Sequence, residues 1–336
     1  MNIKYIKWGV FIVLLLVLLL AAVVISLSSG EIKVVLWQLP RILAEKNSIE
    51  FTVLTKIRIP RIMLAVGVGG ALSLSGALLQ GIYRNPLVEP YTLGISGGAA
   101  LGVAIAIVLG IGTASYLSLP AFGFLGALVT LFLVYFLSIK RGGLSINSML
   151  LIGVMVSFVS SSAMMFLMSV STAENLHNIV FWVMGSLDES NAALIKIAFY
   201  ASLSGLLISY LFAQTLNALR LGEVKARHLG INTGVAIKLL FFVASLLTGI
   251  AVSVAGVIGF VGLVIPHLVR LIIGNDYRVL LAGSFLGGAI FLILSDTLAR
   301  TIISPNELPI GVITGFVGGL VFIVVLSRSK SHFKLN

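Results

Sequence analysis

The chain contains a series of long apolar runs, and this pattern limits its possible folds more than any other feature. Hydrophobic residues make up 59% of the 336 residues and charged residues 10%, against about 45 to 50% and about 25% in soluble domains. The sequence predicts an all-α polytopic membrane protein, with about ten transmembrane helices forming a single transmembrane domain over residues 1–336. The ten runs are 8–28, 61–81, 92–111, 115–137, 147–170, 193–215, 236–257, 259–273, 279–301 and 309–327.

The first and eighth runs differ from the others. The first follows Lys4 and Lys7 and could pass for a signal peptide, but it is too long for one, so we interpret it as a retained span. The eighth is short and contains Gly259, Gly262 and Pro266, which predicts a broken or partly re-entrant helix. Such a helix requires protein or water to satisfy its freed backbone groups.

The basic residues indicate an orientation. Ten spans place both termini on one side, and the positive-inside rule favours the cytoplasm because that side then has fourteen basic residues and the outside eight. The inside set is Lys4, Lys7, Arg84, Lys140, Arg141, Arg220, Lys225, Arg227, Lys238, Arg270, Arg278, Arg328, Lys330 and Lys334. The outside set is Lys33, Arg41, Lys46, Lys56, Arg58, Arg61, Lys196 and Arg300. The first outer loop is the basic exception, whereas outer loops 171–192 and 302–308 hold acids and no lysine or arginine.

The second run is rich in small residues, which let membrane helices approach closely. A shift of 180 residues aligns it with the region from Gly249 onward. The pairs are Gly69 with Gly249, Ala71 with Ala251, Ser73 with Ser253, Gly76 with Gly256, Pro86 with Pro266 and Gly94 with Gly274. An inverted repeat, a common transporter design, and chance similarity of small-residue helices both remain open.

Several kinds of chemistry have no motif in this sequence. The pattern G-x-x-x-x-G-K-[ST] is missing, so we expect the chain not to hydrolyse ATP and not to be an enzyme. His177, His228, His267 and His332 are scattered, and a structural role is the better interpretation of each. We predict no metal site, no cofactor and no nucleic-acid partner.

Few ionisable or strongly polar residues fall within the runs. Asp296 and Arg300 are four residues apart and can pair on one helix face, and we favour this ion pair over a proton relay. Gln80 lies deep in the second run, where hydrogen bonding between helices and a place on a translocation route are both open.

The predicted cytoplasmic loop 218–234 has an amphipathic pattern. Its polar residues alternate with Leu221, Val224, Leu229 and Ile231, which predicts one or two short helices at the membrane surface. Lys225 and Arg227 could face anionic lipid, and docking of a cytoplasmic partner is the alternative.

Nine motifs spread along nearly the whole chain resemble the FecCD-type permeases, the membrane subunits of ABC importers for iron-siderophore complexes, haem and vitamin B12. They are RIPR at 58–61, SGALLQ at 75–80, RNPLVEP at 84–90, LGISGGA at 93–99, WVMGSL at 182–187, ARHLGI at 226–231, GVIGFVGLVIPHLVR at 256–270, SDTLAR at 295–300 and LPIGVITGFVG at 308–318. The resemblance implies the ten-helix permease fold of type II ABC importers in the prokaryotic inner membrane. It also implies a homodimer, two cytoplasmic ATP-binding subunits and an extracytoplasmic substrate-binding protein.

The resemblance also implies roles for individual residues, with the inner turn placed by the predicted topology. Gly222, Ala226, Leu229 and Gly230 match the loop that couples to the ATPase, and Arg58, Arg61 and Arg300 match arginines that dock the binding protein. Ser145 to Asn147 match a cytoplasmic gate, with an ordinary helix cap as the alternative, and Gln80 is placed near the pathway. The inner turn comprises Arg84, Asn85, Pro86 and Pro90.

Two other classes of function remain as alternatives to the importer. An ion-coupled secondary transporter needs carboxylates deep in the spans, and only Asp296 is a candidate. A membrane-embedded enzyme needs converging catalytic groups, and the sequence indicates none. The sequence does not identify which cargo is carried.

Overall fold

The computed structural model describes residues 3–30, 32, 36–140 and 143–328. Lys33, Arg141, Lys330, His332 and Lys334, used in the sequence arguments, lie outside these ranges. The described residues form fifteen α-helices: α1 (Ile3–Ser28), α2 (Leu39–Ala44), α3 (Ile49–Thr52), α4 (Ile59–Tyr83), α5 (Ile95–Val108), α6 (Ser118–Leu137), α7 (Ile146–Val170), α8 (Ala173–Met184), α9 (Ala192–Leu211), α10 (Ala213–Leu219), α11 (Glu223–His228), α12 (Thr233–Ala255), α13 (Val261–Ile273), α14 (Tyr277–Thr301) and α15 (Ile310–Arg328). Strands β1 (Ile139–Lys140) and β2 (Gly143–Leu144) form one short antiparallel pair.

Every one of the ten apolar runs is largely helical. Nine correspond to a single helix each and the sixth to α9 and the start of α10, which confirms the predicted all-α class. Eight helices in the described chain are long and apolar enough to cross a membrane, and α5 and α13 are shorter apolar helices. The second run is part of a continuous helical stretch, Ile49–Tyr83, that includes a wide π-helical segment from Val53 to Arg58. The predicted first outer loop therefore already contains helical residues.

Some predicted boundaries are wrong for local reasons. The third run was placed at 92–111, but α5 is confined between Gly94 and Gly110, which both have positive φ. The sixth run was placed at 193–215, but the helix is interrupted at Phe212. Helix α8 lies in what was predicted as an outer loop. Thr172 caps it, and its own residue Ile179 is buried against the bundle.

Helix α4 lies at the centre of the bundle and packs against α9, α12, α13 and α14. Its glycines allow backbone contact, as the small-residue pattern predicted. A Cβ atom added to Gly69 would lie 2.3 Å from the Gly288 carbonyl oxygen in α14, and one added to Gly76 would lie 1.9 Å from the Gly262 carbonyl oxygen in α13. Both distances are too short for any residue larger than glycine without displacement of a neighbouring helix.

Contacts at the two ends of the bundle agree with helices that cross in alternating directions. At one end, the Lys4 ammonium lies 3.1 Å from an Asp276 carboxylate oxygen, so the start of α1 meets the start of α14. At the other end, Arg300 near the end of α14 donates to Ser26 near the end of α1, at 3.1 Å. We call the end with Lys4 and Asp276 the α11 end, because α11 lies there. We call the end with Ser26 and Arg300 the Arg61 end.

The proposed internal repeat is only partly matched by helices. Gly69, Ala71 and Ser73 lie inside α4, as their shifted counterparts lie inside α12. However, Gly76 lies within α4 whereas Gly256 follows the end of α12, and Pro86 lies in a turn whereas Pro266 lies within α13. The inverted repeat therefore stays a hypothesis.

Candidate functional site

Arg61 is the centre of an ion-pair network at the Arg61 end. It lies in the first turn of α4 with a side chain only 7% exposed, and it donates Nη1 and Nη2 to the two carboxylate oxygens of Glu307 at 2.9 and 2.6 Å. Its Nε lies 3.4 Å from Asp296 Oδ1 and its Nη1 lies 3.8 Å from Asp188 Oδ1. One guanidinium group thus connects α4, α14 and two loops.

Asp296 and Arg300 form the ion pair that their spacing predicted. Arg300 Nε lies 3.0 Å from Asp296 Oδ2, and both side chains are almost fully buried. Asp296 lies between two guanidinium groups, those of Arg61 and Arg300, and their attraction offsets part of the cost of burying its carboxylate. This arrangement favours the structural ion pair over a proton relay.

Arg58 lies beside this network but binds backbone. It is 2% exposed and donates to the carbonyl oxygens of Leu27 and Ile32. A Cβ atom on Gly30 would approach both Arg58 and Arg300, so the link after α1 passes close over these two side chains. Arg58 therefore anchors the end of α1 to the start of α4.

The three arginines predicted to dock a binding protein are therefore together, but each is bonded within the chain. The exposed groups around them are acids, since the side chains of Asp188 and Glu307 are 75% and 45% exposed. A docking carboxylate would have to compete with Glu307 for Arg61. Docking through these arginines stays a prediction.

Gln80 connects α4 to α13 at the point where α13 contains a proline. Pro266 has no N–H group, which leaves the Gly262 carbonyl without its usual donor four residues later. Gln80 Nε2 donates to the Gly262 oxygen at 3.2 Å, and Arg270 Nη1 donates to Gln80 Oε1 at 3.1 Å. The side chain thus satisfies the backbone group that Pro266 frees, and α13 continues as one helix from Val261 to Ile273, so the predicted break in the eighth run is wrong. A position on the pathway stays a prediction.

The inner turn begins with a strained residue. Arg84 ends α4 with φ 52°, a left-handed conformation that is uncommon outside glycine. Asn85 then accepts a hydrogen bond from the Leu87 backbone N–H at 2.9 Å, and Pro90 packs against Gly262 of α13. The turn therefore folds back against the same glycine that Gln80 contacts.

Glu89 is a buried carboxyl within this turn. Its Oε2 forms no hydrogen bond within the described residues, and burial raises the pKa of Glu89 to about 7. Glu89 lies in the RNPLVEP motif, but it was not predicted as a site residue. Its position between Pro86 and Pro90 was only a weak sequence signal for a buried carboxyl.

The loop 218–234 contains one short helix, α11, in agreement with the one or two that its amphipathic pattern predicted, and α10 ends at the start of the loop. Ala226 is fully buried, whereas Leu221, Val224 and Leu229 are 58 to 68% exposed. Gly222 and Gly230 flank α11 with φ values of 104° and 82°, which glycine adopts readily. The result is a rigid loop that presents exposed apolar side chains.

The predicted gate residues lie at the start of α7. Ser145 is its N-cap, and its Oγ accepts from the Ser148 backbone N–H at 3.3 Å, which confirms the helix-cap interpretation. Asn147 is exposed in the first turn. The gate role itself stays a prediction.

Sequence reasoning missed the acids that complete the network. Asp188 and Glu307 were part of the observation that two outer loops hold acids and no lysine or arginine, but neither was paired with Arg61. That charge asymmetry, set against the basic first outer loop, was the signal that could have found them. Among the described residues, no group of three or more histidine, cysteine, aspartate or glutamate residues could hold a metal ion.

Comparison with known proteins identifies relatives over most of the chain. The model of the FecCD transport family matches residues 18–328. The hemin transport system permease protein HmuU of Yersinia pestis is 39% identical over 279 residues, covering 82% of this chain and 83% of HmuU. The vitamin B12 import system permease protein BtuC of Klebsiella pneumoniae is 39% identical over 319 residues, covering 95% of this chain and 93% of BtuC.

A solved structure has the same fold. It is a metal-chelate type ABC transporter in an inward-facing conformation, 35% identical to this chain, with a TM-score of 0.86. The match covers 94% of this chain and 98% of the solved one.

Proposed function

The chain belongs to the FecCD transport family, and from that membership we propose that it moves an iron-siderophore, haem or corrinoid cargo into the cell by alternating access driven by partner ATPases. It is a multi-pass membrane protein of the ABC importer permease type. In the proposed assembly, two copies form the pathway, two ATP-binding subunits bind at the α11 end and a substrate-binding protein docks at the Arg61 end. Both termini then lie in the cytoplasm.

The observation that carries this proposal is the α11 loop. The loop exposes the apolar side chains of Leu221, Val224 and Leu229 together with the basic side chains of Lys225, Arg227 and His228. Buried Ala226 and the hydrogen bond from Arg227 Nε to Thr233 Oγ1 at 2.9 Å fix it to the protein. Exposed apolar side chains on a rigid base suit insertion into a groove of a partner. Loop movement would then be transmitted to α10 and α12, which flank it.

Helix α14 supports a mechanical link between the two proposed docking ends. Its first turn is bonded to α10, because Asn217 donates to Asp276 at 2.9 Å and accepts from the Tyr277 N–H at 3.0 Å. Its last turns carry Asp296 and Arg300. A helix rigidly packed on α4 along its length can carry displacement from one end to the other.

The decisive experiment is reconstitution with and without the ATPase. The chain, its ATPase and its binding protein are placed in proteoliposomes with haem, a ferric siderophore or cobalamin. We expect uptake that requires ATP and all components. Uptake by the chain alone along a proton or sodium gradient would establish the secondary-transporter alternative instead.

A variant tests the coupling loop directly. Leu229→Asp should abolish co-purification with the ATPase without unfolding the chain, because Leu229 is 64% exposed. Leu109→Asp is the matched control, since Leu109 is also 64% exposed but follows α5 at the Arg61 end. Normal ATPase binding by Leu229→Asp would overturn the coupling role.

The proposed gate needs a separate test, because a cap and a gate can be the same residue. Ser145→Ala removes both the cap and the hydroxyl, whereas Ser145→Asp keeps a capping oxygen. A gate role predicts altered transport in both Ser145 variants. It predicts altered transport in Asn147→Ala as well. A stability loss confined to Ser145→Ala, with normal transport, would leave the cap as its role.

A further inference from the structure

A cavity of about 230 Å³ lies at the α11 end and is lined by three arginines. Arg84 follows α4, Arg220 follows α10 and Arg270 lies in the last turn of α13. Buried Gln80 and Tyr277 complete its floor. The three guanidinium groups therefore come from three separate chain segments that meet only in the folded protein.

The positive charge of this cavity is not neutralised by the chain. The described residues that line it include no aspartate or glutamate, and none of the three arginines forms an ion pair within the described chain. Arg220 and Arg270 donate instead to neutral acceptors, the Asn275 carbonyl oxygen at 2.7 Å and Gln80 Oε1 at 3.1 Å.

Four other arginines differ, because a carboxylate lies within ion-pair distance of each of Arg41, Arg61, Arg227 and Arg300. Arg58 and Arg278 form no ion pair within the described residues either, but they do not line this cavity.

Asp276 lies between the lining residues Asn275 and Tyr277, but its two oxygens are engaged by Lys4 and Asn217. Glu223, three residues after Arg220, pairs with Arg227, and Glu89, five residues after Arg84, does not line the cavity. Three like charges around one cavity repel one another unless an anion lies between them.

We propose that this arginine cavity binds a phosphate group. Guanidinium groups recognise phosphate through paired, charge-assisted hydrogen bonds, and several guanidinium groups match the charge of a phosphate better than that of a single carboxylate. The cavity lies where helices end, the depth at which phospholipid phosphates lie in a bilayer, and basic cavities between helices are known headgroup sites. The source is a lipid headgroup or free phosphate.

Binding to the purified full-length chain distinguishes these sources and does not depend on transport. The chain is depleted of lipid in a neutral detergent, and thermal unfolding is followed while short-chain phosphatidylglycerol, inorganic phosphate or an equal ionic strength of chloride is added. We expect phosphatidylglycerol to raise the unfolding temperature at concentrations where chloride has no effect. An equal effect of inorganic phosphate would assign the site to free phosphate, which also supports the proposal.

Variants of the lining arginines test whether this stabilisation arises from binding in the cavity. The double variant Arg84→Gln/Arg220→Gln should weaken the apparent affinity by about tenfold or more. Arg278→Gln is the matched control, because Arg278 is exposed on the first turn of α14 and does not line the cavity. If the Gln double variant does not fold, Arg84→Lys/Arg220→Lys keeps the charge but loses the paired hydrogen bonds, and it should show a smaller loss.

Two results obtained with the isolated chain would overturn the proposal. One is that neither lipid nor phosphate stabilises the chain beyond chloride. The other is that the cavity variants respond like Arg278→Gln. Stabilisation that appears only when the ATPase subunit is added would likewise overturn it, by assigning the arginines to a protein carboxylate.

Discussion

Arg61 and Glu307 form a two-bond ion pair, with Nη1 to Oε1 at 2.9 Å and Nη2 to Oε2 at 2.6 Å. The arginine is almost fully buried at the start of α4, and the glutamate is partly exposed in the loop that precedes α15. If Arg61 docks a binding protein, Glu307 occupies the position that a partner's carboxylate would take.

Glu307→Gln should therefore strengthen docking. A partly exposed ion pair contributes about 1 kcal/mol, so removal of this internal competitor should raise binding-protein affinity about fivefold. The effect should be largest at low salt, where charge attraction is least screened. Affinity is measured on the chain in nanodiscs with the purified binding protein.

Three charge-reversal variants and one control of matched charge complete this prediction. Arg61→Glu, Arg58→Glu and Arg300→Glu should weaken docking at low salt. Glu174→Gln, an exposed change on α8 with no ion pair to Arg61, should leave affinity unchanged. Weaker binding by Glu307→Gln would instead mean that the acid itself contacts the partner.

Gln80 satisfies the carbonyl that Pro266 frees, so mutations of these two residues should have non-additive effects on the free energy of unfolding. Gln80→Leu leaves the Gly262 carbonyl unsatisfied and should lower the free energy of unfolding by about 1 to 3 kcal/mol. Pro266→Ala supplies an N–H to that carbonyl, so Gln80→Leu should cost less in the Pro266→Ala background. Denaturant unfolding in mixed micelles measures the double-mutant cycle, and strict additivity would contradict the assigned role.

Close packing of α4 on α13 predicts a large effect of one methyl group. Gly76→Ala should lower stability by more than about 3 kcal/mol, because the new Cβ would lie 1.9 Å from the Gly262 carbonyl oxygen. Gly9→Ala is the control, since no atom lies within 4 Å of its added Cβ. Thermal unfolding of both variants in one detergent makes the comparison, and equal midpoints would show that α13 moves freely.

Glu89 predicts a pH dependence of stability. Burial raises the pKa of Glu89 from 4.5 to about 7 in the folded chain. Between those values the folded state binds more protons than the unfolded state, so this group's contribution to stability falls as pH rises and levels off above pH 7. The full effect is about 3 kcal/mol.

Glu89→Gln removes this titration while keeping a similar shape. Relative to the parent chain, the variant should gain stability progressively from pH 4.5 to 7, measured as the difference in unfolding midpoint at each pH. Glu174→Gln, at an exposed position, should show no such trend. A constant difference across that range would show that Glu89 is ionised in the folded chain throughout.

The sequence predicted the crossing helices well because hydrophobicity and helix length are local properties. It placed α13 as a short helix and paired Asp296 with Arg300 from their spacing, but the break expected at Pro266 is wrong because α13 continues through the proline from Val261 to Ile273. Sequence alone misplaced the ends of α5 and α9, where a glycine or a single interrupted turn decided the boundary, and it missed α8, whose polar residues resemble a loop.

What the sequence by itself determined was an all-α membrane bundle, the alternation of its crossings and the family it resembles. Only the tertiary structure decided which charges meet. Glu307 is 246 residues from Arg61 and Gln80 is 182 residues from Gly262, and no periodicity links such distant positions. Their pairing follows from how α4, α13 and α14 pack, because a buried polar group must find its partner among the groups that packing brings within reach.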